Sequence, residues 1–170
     1  GDAFYRCVEL LSITIPASVE TIGESCFNLC ATLNSVTFEE GSKLSSIANS
    51  AFIRCSSLQS ITIPASVVTI GENSFAGCSK LSSVTIGESV TGIGDCAFSG
   101  ISDGAVITCL SYVQKIDDVQ QSSFNPKPVL RVYYTPNYSD LSGYFSRVEG
   151  IPVTITDGGE ENDEDIYEED

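Results

Sequence analysis

The 170-residue sequence predicts a repeat solenoid, a right-handed coil whose successive turns stack through parallel strands. Three observations predict this fold class. Phenylalanines recur every 23 or 25 residues, cysteines and leucines share that period, and each repeat opens with alternating apolar and hydroxyl residues. The columns are Phe4, Phe27, Phe52, Phe75 and Phe98; Cys7, Cys30, Cys55 and Cys78; and Leu10, Leu33, Leu58 and Leu81.

Each repeat begins with a strand, as residues 81–86 illustrate. Their apolar and hydroxyl side chains alternate with a period of two, which is typical of a strand with one buried face. A Pro or Gly turn follows, and a glycine then precedes the aromatic residue in three of four units, where we expect it to permit a tight bend (Gly23, Gly71 and Gly94). The short segment around each Phe and Cys is predicted to form a 3₁₀ or single α-helical turn on the convex side.

The strand pattern continues beyond the clearest repeats. We therefore predict about seven parallel strands, beginning at residue 12 and ending near residue 156. The single 25-residue step arises in the turn at residues 38–44, which is two residues longer than the corresponding turn at residues 63–67. We expect this turn to lengthen a loop without moving the core columns. The apolar strand positions, 23 residues apart, are Ile61, Val84, Ile107, Leu130 and Val153.

Three segments follow from these patterns. Residues 1–110 are regular 23-residue repeats with one 25-residue unit, and residues 111–156 are degenerate repeats that we expect to form a C-terminal cap rich in Tyr and Pro. Residues 157–170 form an acidic tail that we expect to be disordered, because like charges repel and little apolar surface can be buried. The chain begins in mid-repeat, so we expect further repeats to precede Gly1.

Charge and composition argue against several classes of function. The net charge is −15, and basic residues form no cluster, so nucleic acid and anionic membranes are not expected partners. Any membrane attachment would require a segment outside this chain. The sequence contains no histidine, which excludes Ser-His and Cys-His catalysis, and it has no zinc-binding Cys spacing. We expect neither enzymatic activity nor a cofactor.

The repeat unit closely resembles the bacterial-type leucine-rich repeat of BspA-like surface proteins. The clearest copy is residues 61–78, which carries the I-P-x-S-V turn followed by F-x-x-C. The resemblance covers residues 4–100 well and later residues only in strand phase. It implies a leucine-rich-repeat solenoid that is secreted or displayed on the cell surface. It also implies adhesion to host-cell or extracellular-matrix proteins, a host–pathogen role.

Hydroxyl side chains occupy the strand positions that face away from the core. Exposed Thr can be explained structurally, since β-branched residues suit a strand and can bond to their neighbours. The functional interpretation is that this concave face binds a polar protein or, alternatively, a glycan. A third alternative is a structural spacer that displays another domain. The candidate residues are Ser12, Thr14, Ser35, Thr37, Ser60, Thr62, Ser83, Thr85, Thr108 and Arg131.

The remaining candidates are cysteines and one glycosylation motif. The periodic cysteines are predicted to be small buried core residues, because side chains stacked in register have poor disulfide geometry. Cys26 and Cys96 lie outside that column and are the better candidates for a reactive or paired thiol. Asn137 begins the sequence Asn-Tyr-Ser, which could carry a glycan in a secreted eukaryotic chain.

Overall fold

A computed structural model describes residues 1–110 and the backbone of residues 118–119, 129–132 and 147–150. Within these residues the chain forms twelve short strands, and every pair of hydrogen-bonded strands is parallel. They are β1 (Ser12–Ile15), β2 (Thr21–Ile22), β3 (Ser35–Phe38), β4 (Ser46–Ile47), β5 (Ser60–Thr62), β6 (Thr69–Ile70), β7 (Ser83–Ile86), β8 (Gly92–Ile93), β9 (Val106–Cys109), β10 (Asp118–Val119), β11 (Val129–Val132) and β12 (Arg147–Gly150).

The strands form stacked coils, as the sequence predicts. Each coil contributes one longer strand to a first face and one two-residue strand to a second face. On the second face, β2, β4, β6, β8 and β10 make one continuous sheet. On the first face, β5, β7, β9, β11 and β12 form one sheet, whereas β1 and β3 form a separate pair. The prediction of a parallel-stranded repeat solenoid is confirmed.

The strand register follows the repeat period. Thr14 pairs with Thr37, and Thr62 pairs with Thr85, which in turn pairs with Thr108. The 23-residue count places the last strand wrongly, however. β12 aligns Val148 with Leu130, five positions before the predicted partner Val153. The 23-residue spacing assumes that every coil contains the same number of residues. The connection that leads to β12 is shorter than this, so the strand comes earlier in the sequence.

The third face consists of turns rather than helix. The predicted 3₁₀ or α-helical turns are absent from the described Phe-Cys segments. Two left-handed residues interrupt each segment, for example Ser25 at φ 54° and Leu29 at φ 61°, and a right-handed helix cannot continue through such positions. Their backbone N–H groups instead bond to the next coil. The Phe27 N–H donates to Ala51 C=O at 2.7 Å, and this pattern recurs in later coils.

Aromatic rings stack along the interior of this third face. Neighbouring phenylalanine rings lie 4.9 to 5.3 Å apart and within 8° of parallel. Burial of four of the rings removes a large apolar surface from water, and the stack adds a directional contact, whereas Phe4 is 37% exposed. The prediction that this column lies in the core is confirmed for these four rings and is wrong for Phe4. The rings of the stack are Phe4, Phe27, Phe52, Phe75 and Phe98.

The glycine column serves close packing between coils rather than a left-handed bend. Neither Gly71 nor Gly94 has a positive φ. A Cβ at Gly71 would lie 2.5 Å from the Asn49 Oδ1 atom, and a Cβ at Gly94 would lie 2.5 Å from the Glu72 backbone nitrogen. Both distances are too short for a side chain, so glycine lets adjacent coils approach at this corner.

Candidate binding surface

The predicted hydroxyl residues meet on one surface, which we call the hydroxyl face. It comprises the outward positions of β1, β3, β5, β7 and β9. On it Thr14, Thr37 and Thr62 are exposed, while Thr85 and Thr108 are half-buried. The serines of the adjacent column line the same surface, and three of the four are exposed, namely Ser12, Ser60 and Ser83, with Ser35 half-buried.

Neighbouring hydroxyls on this face also bond to each other. The Oγ1 atoms of Thr14 and Thr37 lie 2.9 Å apart, and either atom can be the donor. This contact supports the structural interpretation of the threonine column. A hydroxyl that donates once can still accept from a partner, so the structural and binding roles are compatible.

Arg131 extends the threonine column in register. Its backbone pairs with Thr108 on β9 and with Glu149 on β12. The position is therefore where the sequence predicts it. Asn137 and the acidic tail at residues 157–170 lie outside the described residues. The role of residues 111–156 as a cap stays a prediction, although β10, β11 and β12 fall within that segment.

A cavity of about 600 Å³ opens in the first face where β3 and β5 fail to pair. Its lining includes serine and threonine hydroxyls, and also Phe38, Glu39 and Pro64. This cavity was not predicted from the sequence, although two features of the sequence accompany it. One is the longer turn at residues 38–44, and the other is Pro64, which has no N–H to donate.

The cysteines are free thiols, and most of them are inaccessible. Cys30, Cys55 and Cys78 are buried, which confirms the predicted core role for three members of the column, whereas Cys7 is half-buried; Cys109, outside the column, is also buried. The column cysteines also make contacts that the sequence did not suggest. The thiol of Cys30 donates to Phe4 C=O at 3.0 Å. The equivalent bonds in the next two coils run from Cys55 to Phe27 C=O and from Cys78 to Phe52 C=O.

Burial keeps several of these thiols protonated. It raises the pKa of Cys30 to about 11 and that of Cys109 to about 12. Burial also raises the pKa of Cys26, which argues against the reactive thiol suggested by the sequence, since the thiolate is the nucleophile. Cys26 and Cys96 are both half-buried and unpaired with any other cysteine.

The described residues contain no group of three or more His, Cys, Asp or Glu side chains arranged to hold a metal ion. Their secondary structure likewise includes no helix long and apolar enough to cross a membrane.

The family model of the BspA type leucine rich repeat region matches residues 1–130 in six copies. The chain belongs to this family. The match extends past the 110 residues that were predicted to be regular repeats, and includes strand β10 and the first two residues of β11. The resemblance stated from residues 61–78 is therefore confirmed. A comparison with curated proteins found no significant match.

Three solved structures of leucine-rich repeat proteins are similar to this chain, and the first of them supports the same fold. A T. pallidum leucine-rich repeat protein is 26% identical with a TM-score of 0.59, covering 86% of this chain and 59% of its own. A leucine-rich cell surface protein of Faecalibacterium prausnitzii A2-165 is 24% identical with a TM-score of 0.33, covering 60% and 39%. A leucine-rich repeat protein of Bacteroides ovatus ATCC 8483 is 17% identical with a TM-score of 0.31, covering 89% and 63%. The chain thus spans less than two thirds of each relative.

Proposed function

We propose that this chain is a protein-binding module of the adhesion type, which attaches to host-cell or extracellular-matrix proteins through the hydroxyl face. The observation that supports this most directly is the row of solvent-accessible threonines and serines on neighbouring strands. In a leucine-rich repeat family, the extended face of the solenoid is a natural binding surface.

The chemistry of the face suits a polar protein partner. Its threonine and serine side chains carry no charge, and each hydroxyl can both donate and accept. One such hydrogen bond contributes only about 1 kcal/mol, so useful affinity requires many of them. Strands spaced about 4.8 Å apart repeat the same groups in a regular array, which multiplies weak contacts over a large area.

The test replaces two threonines on the unbroken part of the face with arginine. The double variant Thr85→Arg and Thr108→Arg places two long cations on β7 and β9, where the side chains are half-buried but outward-facing. Binding to immobilised fibronectin, laminin and collagen is measured by biolayer interferometry. We expect the native chain to bind at least one of these proteins saturably and the double variant to lose at least tenfold in affinity, since buried unpaired charges are strongly unfavourable in an interface.

The matched control makes the same chemical change on the second face. Thr21 and Thr69 are exposed on β2 and β6, so the double variant Thr21→Arg and Thr69→Arg adds equal charge elsewhere. It should bind like the native chain, and circular dichroism should show both variants folded. Equal loss in both variants would indicate a non-specific charge effect. Absence of saturable binding by the native chain would favour the structural spacer.

A surface location and a non-catalytic role belong to the same proposal. Adhesion requires exposure to the partner, so we place the chain on the cell surface or among secreted proteins. The leucine-rich repeat fold generally serves binding rather than catalysis. Antibody labelling of intact cells, compared with permeabilised cells, tests the location.

A further inference from the structure

The first face of the solenoid is interrupted by a slit, which we define as the space between β3 and β5 with the turns that follow them. In the described part of the chain, no hydrogen bond joins residues 32–43 to residues 57–65. Bonds to the neighbouring coil resume on both sides. Ser56 Oγ donates to Ala31 C=O at 3.4 Å before the slit, and Ser66 Oγ donates to Leu44 C=O at 2.7 Å after it.

The slit leaves backbone groups without their usual ladder partners. Glu39 N–H donates to Ile15 C=O, so the alternate residues Val36 and Phe38 direct their N–H and C=O groups away from β1 and toward β5. On β5, Ile63 N–H donates to Thr85 C=O. The alternate residues of that strand therefore direct theirs toward β3, and these are Ser60 and Thr62.

Two sequence features accompany the interruption. Pro64 lacks the backbone N–H group that would continue the β3–β5 ladder beyond Thr62. Phe38 occupies an inward column in which the other coils carry the smaller Ile15, Ile63 and Ile86. It is only half-buried, whereas those isoleucines are buried, so part of its ring lines the cavity.

The width of the slit limits what can occupy it. Cα atoms of β3 and β5 come within 8 Å of each other. An inserted peptide strand would need two strand spacings, about 9.6 Å, to pair on both sides. A single layer of hydroxyl groups fits a narrower gap and can bond to both edges, because each hydroxyl donates and accepts.

The remaining lining has the chemistry of a site for a neutral polyhydroxyl ligand. Ser42 and Ser66 add hydroxyls at the end near the turns, and the half-buried Phe38 ring adds an apolar wall. The nearby acid, Glu39, accepts a hydrogen bond from Ala17 N–H at 2.9 Å through Oε2. A cavity of about 600 Å³ falls in the size range of small-ligand sites.

We propose that the slit between β3 and β5 binds a neutral carbohydrate, one or two sugar rings of a glycan. Ring hydroxyls bond to the open backbone groups of Phe38 and Thr62, to the exposed Thr62 side-chain hydroxyl and to the serine hydroxyls near the turns. The apolar face of a ring packs against Phe38. The slit lies within the hydroxyl face, and the protein contact is tested at a different place on that face, on β7 and β9, so the two proposals can fail independently.

The experiment titrates the folded chain with maltose, lactose, N,N′-diacetylchitobiose and the acidic sugar 3′-sialyllactose. Binding is followed by two-dimensional ¹⁵N–¹H NMR. At least one neutral disaccharide should shift the amides of Phe38, Ser60 and Thr62 saturably, and leave those of Thr85 and Thr108 in place. Thr62→Val removes one hydroxyl at nearly constant volume and should weaken binding roughly fivefold. The matched control Thr85→Val, one strand away, should leave affinity unchanged.

A second variant closes the slit. Phe38→Ile combined with deletion of Glu40 and Gly41 restores the isoleucine column and the 23-residue spacing. It should abolish the shifts while the native circular dichroism spectrum is kept. The proposal is overturned if no neutral disaccharide shifts the slit amides at ligand concentrations up to about 50 mM, the range of very weak binding. It is also overturned if only 3′-sialyllactose binds, if Thr85→Val weakens binding as much as Thr62→Val, or if only an extended peptide shifts the slit amides.

Discussion

At the scale of single residues, Ser74 is the least favourable side chain in the core. It is fully buried, and its Oγ atom has no hydrogen-bond partner among the described residues. Ala51 and Ala97 fill the same position in the adjacent coils. A buried hydroxyl without a partner loses its bonds to water and gains nothing in return.

We therefore expect Ser74→Ala to raise the free energy of unfolding by about 1 kcal/mol. Urea denaturation monitored by circular dichroism measures the change. Ser66→Ala is the opposite case, because it removes the 2.7 Å bond from Ser66 Oγ to Leu44 C=O and should destabilise. A destabilised Ser74→Ala protein would mean that the hydroxyl has a partner.

Residue chemistry was only partly accessible from the sequence. The outward threonines and inward isoleucines followed from the period of two, since alternate side chains of a strand face opposite ways. The contact from Cys30 Sγ to Phe4 C=O could not be predicted, because it depends on how far one coil is offset from the next. The raised pKa of the Cys26 thiol also depends on burial, which the position of a residue outside the column does not reveal.

At the scale of elements, the coils pack most closely where the glycine column lies. A Cβ at Gly94 would stand 2.5 Å from Glu72 N, whereas the nearest atom to a Cβ at Gly92 is Thr69 Cγ2 at 3.7 Å. The two glycines are two residues apart and neither has a positive φ. Alanine substitutions at these two positions therefore compare a crowded site with an open one, without a difference in the sign of φ.

We expect Gly94→Ala to destabilise the protein by about 1–3 kcal/mol, the usual cost of overpacking. Gly92→Ala should be neutral or slightly stabilising, because alanine restricts the unfolded chain more than glycine does. Thermal unfolding of both variants beside the native chain provides the measurement. Similar stability of the two variants would show that the coils can separate at this corner without cost.

The elements themselves were predicted to different extents. The longer strands and their register followed from the apolar and hydroxyl columns. The turn face was missed, because left-handed φ at Ser25 and Leu29 is not indicated by residue type. The slit was hidden for a related reason. Val36 and Ile61 keep the core column regular across it, while the missing bonds belong to the backbone.

At the scale of the whole molecule, the two sheets hold the coils together unequally. The second sheet runs without a break from β2 to β10, and the phenylalanine stack crosses the same region with ring spacings of 4.9 and 5.2 Å around Phe52. The first face has two separate ladders. Cohesion between the second and third coils therefore comes from the core, the second face and the third-face backbone bonds, such as that from Phe52 N–H to Ser74 C=O at 2.7 Å.

Hydrogen exchange provides a direct measure of this asymmetry. We expect the Thr62 amide, which faces the slit, to exchange faster than the Thr85 amide, which the ladder register pairs with β5. Both are threonines in the same column, so their intrinsic rates are comparable. The measurement is deuterium exchange followed by NMR. Equal protection of the two amides would mean that β3 and β5 are hydrogen-bonded in solution.

The one-to-one register of the coils also makes the molecule extensible. Ser60 pairs with Ser83, and Ser83 pairs with Val106, with no slippage between coils. A duplicated 23-residue unit would meet the same contacts above and below as the unit it copies. Each added copy would lengthen the solenoid by one strand spacing, about 4.8 Å. The number of copies therefore sets the length of the solenoid, while each coil presents the same surface.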